Sequence, residues 1–172
     1  MVESSTRITK DNLFTQTHAN IFNLINNRSN VPDPADPNGK RKFVYVRDPN
    51  WSSLTSKGFP LIVVLDPEYF QGEKTSSGTK AKTGDTFTIK IYTQDKNSDS
   101  DGDPNGAQQM RDITTDVVKT LNDTSNSQIL RDNGLKNKTI SRVDYPDWGE
   151  VDGKPVAKRE LQIPFQQLRS IA

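Results

Sequence analysis

Pro60-Leu61-Ile62-Val63-Val64-Leu65-Asp66 is the stretch on which the fold turns. It is the most apolar run in the chain, rich in β-branched residues and closed off by Pro60 and Asp66-Pro67. A short continuous run of this kind predicts a strand covered on both faces. Downstream, Phe87, Ile89 and Ile91 alternate with Thr88, Lys90 and Tyr92 across Asp85–Gln94. That period of two predicts a second strand with one face buried and the other partly wet.

Working outward, residues 8–28 carry Phe14, Ile21 and Leu24 or Ile25 at helical spacing, with Leu13 and Phe22 widening the stripe. Thr9 is placed to cap this helix, and Asp11 suits its first turn. A second helix is predicted over 106–123, where Met110, Ile113, Val117 and Leu121 form one stripe beside Val118. A shorter helical turn around Gln128 to Asp132 is expected to stop at Asn133-Gly134. A short strand over Lys42–Arg47 precedes the central run. Two more, about 138–145 and 156–165, close the chain as a broad hairpin. The order α-β-β-β-α-β-β predicts a two-layer α+β domain, with a mainly antiparallel sheet of about five strands packed against two main helices. Four long loops are expected, over 29–41, 71–84, 94–106 and 146–155, within a single domain spanning 1–172. The first holds Pro32, Pro34 and Pro37, so it is neither helix nor inner strand, and reads as either an ordered loop or a flexible arm.

Composition narrows the function. Leu, Ile, Val and Phe make up 39 of 172 residues, just above the level at which chains stay disordered, and 23 Lys+Arg nearly balance 22 Asp+Glu. The chain is expected to fold and to carry long polar loops. With no Cys there is no thiolate nucleophile, zinc-thiolate site or iron–sulfur cluster, and with only His18 no His pair can hold a metal within one chain. Neither a long apolar span nor a signal peptide is legible, so a soluble protein without a membrane partner is expected. The balanced charge gives no general grip on nucleic acid.

The local motifs are weak. Asn97-Ser98-Asp99-Ser100-Asp101-Gly102 has the opening of a calcium-binding EF-hand loop. However, Pro104 and Gln108 then fall where the loop needs other residues, and a strand precedes it. A solvated acidic loop accounts for the same residues. His18 sits at the edge of a helical stripe and reads as a packing residue more readily than a catalyst. Gly72, Gly78 and Gly84, interleaved with Lys74, Lys80 and Lys82, suggest flexibility or a basic contact surface, with no phosphate cradle. No catalytic residue, cofactor or metal is assigned. The candidate contact residues are Trp51, Lys80, Lys82, Asp99, Asp101, Asp103 and Trp148. Each Trp is readable either as an interface anchor or as a side chain folded onto its own sheet.

The succession of elements resembles the tail terminator, or tail completion, proteins of long-tailed, siphovirus-like phages and related viruses. The likeness runs through the helix Asp11–Asn27, Phe59–Leu65, Thr86–Tyr92, the Asp-rich loop and the helix Gln108–Leu121. It continues into Val143-Asp144-Tyr145 and Arg159–Phe165. The resemblance implies a structural virion protein that caps the head-proximal end of the tail tube. It implies a hexameric ring that stops tube growth and presents a surface to connector or neck proteins, with DNA only in transit through the lumen. Rival expectations are another head–tail joining or head-completion protein, a calcium-dependent binding module, and, remotely, an enzyme using His18.

Overall fold

In a computed structural model of the chain, the structure describes residues 13–54, 58–74, 80–95, 106–132, 135, 138–151 and 153–170. The elements are helix α1 (Leu13–Asn26), β1 (Val44–Tyr45), a 3-10 turn (Trp51–Ser53), β2 (Leu61–Val64), β3 (Glu68–Lys74) and β4 (Lys80–Gln94). They are followed by α2 (Gly106–Asn122), α3 (Thr124–Asp132), β5 (Arg142–Val143), β6 (Asp147–Val151) and β7 (Lys154–Ser170). Thr9 and Asp11, proposed at the start of the first helix, lie outside the described residues.

One sheet of seven strand segments holds the fold together, in the order β1-β2-β4-β7-β5, with β3 also on β4 and β6 also on β7. Its spine is the antiparallel pair β4–β7, in register from Lys80↔Ser170 to Gln94↔Val156. Because β7 takes one edge of β4 along its whole length, β2 and β3 share the other edge in tandem, at Ile89–Tyr92 and at Ala81–Thr86. In the same way β5 and β6 follow one another along the outer edge of β7. The sheet is thus five strands wide, as expected from the sequence, with two of the five positions filled by two segments each. All pairings are antiparallel except β1–β2.

The run Leu61–Val64 is buried at every position. Ile62 and Val64 face the helices together with Phe87, Ile89, Ile91, Leu161, Ile163 and Phe165, against Ile21, Ile25, Met110, Ile113, Val117 and Leu121. Leu61 and Val63 face the other way, into a smaller cluster with Phe59, Tyr92 and Val156, overlaid by Leu54 and Tyr45. A strand with apolar side chains on both faces therefore has a cover for each, helices on one side and Tyr45, Leu54 and Phe59 on the other.

Three sequence expectations are corrected. The loop expected over 71–84 is largely sheet: β3 runs to Lys74 and β4 starts at Lys80. Gly, Lys, Ser and Thr give this stretch no apolar alternation, so its strands are set by the ladder to the end of β7, a long-range partner that local pattern does not reveal. The loop expected over 146–155 is mostly the tight hairpin of β6 and β7, turning at Gly153 with φ +71. Such a positive φ suits glycine, which has no Cβ to clash. Finally, the helical turn expected at 128–132 begins earlier, at Thr124. Asp123 accepts a bond from the Asn126 amide at 3.0 Å, capping a helix whose single buried residue, Leu130, leaves little periodic signal.

Candidate interaction surface

The Pro-rich segment 31–41 is an ordered loop, held by a buried carboxylate. The Asp33 side chain has no exposed surface and takes two bonds from Arg41, from Nη2 at 2.8 Å and Nε at 3.0 Å. Its Oδ1 also accepts from the Ala35 amide, and Arg28 Nη1 stands 3.3 Å from Oδ2. Arg41 also donates to the carbonyls of Gly58 and Pro60, tying the loop to the entry of β2. Arg28 and Arg41 both lie over the ring of buried Phe43. The Arg41 amide bonds the Asp36 carboxylate, and this is the main reason that the Asp36 pKa is held below the usual value. A bidentate guanidinium–carboxylate pair with its other groups satisfied is a geometric clamp.

His18 is likewise structural in its contacts. Its Nε2 lies 2.8 Å from the carbonyl of Val64 and its ring stacks on Phe22, joining α1 to the central strand. Among the described residues, no group of three or more His, Cys, Asp or Glu side chains is placed to hold a metal.

The candidate contact residues fall into separate places. Trp51 sits edge-on against Tyr92, with ring centroids 4.8 Å apart, and is only 37% exposed. Tyr92 donates to Asp48 at 3.0 Å, and Lys90 pairs with the same carboxylate at 2.8 Å, so this region is an internally bonded cover on the sheet. Burial, then the charge of Asp48, pushes the Tyr92 hydroxyl well above its ordinary pKa. Trp148 lies in β6 at the opposite edge and is 51% exposed. Lys80 and Lys82 occupy strand positions opposite Ser170 and Leu168. Asp99, Asp101 and Asp103, and with them the acidic loop weighed as a calcium site, lie outside the described residues.

The β5–β6 edge holds more than the sequence pattern indicated. Val143 is 45% exposed and Tyr145 91% exposed, on either side of Asp144, and Trp148 follows. A hypothetical Cβ on Gly149 would meet nothing within 4 Å. Three large apolar side chains are exposed within six residues along a sheet edge, the usual mark of a contact surface. Tyr145 was missed because an aromatic at the end of a predicted strand normally counts toward the core. The following Pro146, which cannot donate to a ladder, was the available signal.

No protein-family model matches this chain, and no curated protein matches it. Among the described residues, no helix is long and apolar enough to cross a membrane.

Proposed function

We propose that this protein is a structural joining component of a virus tail, acting as a tail terminator. On this reading it caps the head-proximal end of the tail tube within the virion, stops polymerisation, and offers its outer face to connector or neck proteins. The observation that carries the proposal is the exposed aromatic edge of β5–β6, where Val143, Tyr145 and Trp148 stand in solvent. That edge favours a contact protein over an enzyme. An open sheet with two different edges can meet a neighbour head to tail, and a ring built so ends a tube once its outer face no longer matches the tube subunit. A near-neutral chain suits a lumen that passes DNA without holding it.

Removal of the protein from an otherwise complete assembly tests the proposal. Tubes of uncontrolled length, restored to uniform length by adding the purified protein, are the expected result. Tubes of normal length that fail to join heads would instead assign the protein to the head-completion side of the joint.

A further inference from the structure

The segments 40–47 and 144–150, which flank the two edges of the sheet, carry opposite formal charge. Strand β1 is the first in the sheet order and β5–β6 the last, so the segments flanking them lie at opposite sides of the molecule. Residues 40–47, Lys-Arg-Lys-Phe-Val-Tyr-Val-Arg, contain four cations and no acid. Arg41 is turned inward onto Asp33, which leaves Lys40, Lys42 and Arg47 exposed around Val46, itself 49% exposed. Residues 144–150, Asp-Tyr-Pro-Asp-Trp-Gly-Glu, contain three acids and no cation. Asp147 and Glu150 are exposed there beside Tyr145 and Trp148.

The neighbouring countercharges reduce this asymmetry, since Lys154 and Lys158 lie across from Val151 and Asp147 and Asp48 follows the basic segment. They leave exposed charge of one sign in each segment. On the acidic side, Arg142 is bonded to Asp144, and Lys158 stands 4.0 Å from Asp147 and 3.2 Å from Glu160. That leaves Asp147 with a distant partner and an 84% exposed side chain. On the basic side, Asp48 is engaged by Lys90 and Tyr92, and Lys42 lies over the Tyr45 ring.

We infer that the acidic aromatic edge, Asp144–Glu150, docks on the basic strip Lys40–Arg47 of a second copy of this chain. The occupant follows from complementarity: each strip joins exposed apolar side chains to a single sign of charge, and the matching strip is present once on every copy. Because the strips sit at opposite edges, they cannot meet within one chain. Two different patches meeting make a heterologous contact, which repeats from copy to copy and closes only as a ring. The inference deepens the capping proposal by naming the contact between subunits, and it rests on that reading for its setting.

The chain has no cysteine, so introduced thiols report the contact without background. The variant V46C/W148C is oxidised, both as the isolated protein over a range of concentrations and after addition to purified tail tubes. A ladder of covalent multimers on a non-reducing gel is expected, in at least one setting, while V46C and W148C alone stay largely monomeric. Efficient dimers from either single variant would show a symmetric contact and overturn the inference. So would the absence of a ladder in both settings.

Charge reversal supplies a second arm. D147K/E150K and K42E/R47E should each lose self-association at least tenfold, and an equimolar mixture of the two should regain it, because each then offers the edge that the other needs. Equal association of the single variants and the wild type, or no recovery on mixing, would likewise overturn it. Failure of the capping proposal has a different signature: the wild-type protein leaves tube length unchanged, whether or not the ladder forms.

Discussion

Asp33 and Tyr92 are the two residues whose environments make the sharpest demands. Asp33 is wholly buried, and its charge is balanced by Arg41 in a bidentate pair with Arg28 alongside. Removing one partner of a buried pair leaves a stranded charge, which costs about 3–5 kcal/mol. Arg41→Ala is therefore expected to lower the melting temperature by at least about 6 °C, since 1 kcal/mol corresponds to roughly 2–4 °C in chains of this length. Arg41→Lys should recover little of it, because an ammonium cannot reproduce the two-pronged bond to Asp33 together with those to Gly58 and Pro60. Thermal melts of the two variants check both points. Tyr92 sets an alkaline limit instead. Its folded pKa is raised, so its contribution is complete below the unfolded value, near 10.0, and is lost progressively as pH rises above it. Tyr92→Phe keeps the ring against Trp51 and removes the titration. Its melting temperature should fall less steeply than the wild type's between about pH 9 and 11, and parallel slopes would refute this account.

At the scale of elements, the join between β4 and α2 depends on one close approach. Asp95, just past the end of β4, accepts a bond from the Gly106 amide at 2.7 Å, and Thr93 Oγ1 donates to the Gly106 carbonyl at 2.6 Å. The first turn of α2 is thereby capped by a residue eleven positions earlier, and the Asp95 amide in turn bonds the carbonyl of Pro155 on β7. A Cβ on Gly106 would fall 2.7 Å from Asp95 Oδ1 and 3.0 Å from the backbone of Gln94 and Asp95. Gly106→Ala, although favourable for helix propensity alone, is expected to destabilise the protein, and Asp95→Ala to cost about 1 kcal/mol. Denaturant midpoints measure both, and an alanine at 106 that stabilises would show that the approach is not tight. These joins also mark where the sequence stopped being legible. Periodicity located α1, α2, β2 and the inner half of β4, because each carries its own apolar stripe. It did not find β3, the outer half of β4, or the extension of β7 to Ser170, because those strands are defined by pairing with distant residues. It shortened α3, because a single buried leucine gives no period.

At the scale of the whole molecule, the candidate surface was legible in parts but not in arrangement. Trp148 stood out as a lone aromatic in a polar loop, and Trp51 was open to two readings, of which the packing against Tyr92 favours the inward one. What composition concealed was segregation. A formal net charge of +1 describes a chain whose basic strip 40–47 and acidic strip 144–150 are about a hundred residues apart, and only the sheet order shows that they occupy opposite edges. Segregated surface charge and buried paired charge respond differently to salt. Exposed pairs across a contact are screened beyond a Debye length of about 10 Å at 0.1 M and about 3 Å at 1 M, whereas a pair such as Asp33–Arg41 is screened much less. Raising sodium chloride from about 0.05 to about 0.5 M is therefore expected to weaken association between copies several-fold while leaving the thermal midpoint of the isolated chain nearly unchanged. Sedimentation velocity and thermal melts over the same salt series separate the two. Association that strengthens with salt would mean that Val46, Tyr145 and Trp148 drive the contact without help from the charges around them, since excluded salts favour apolar burial.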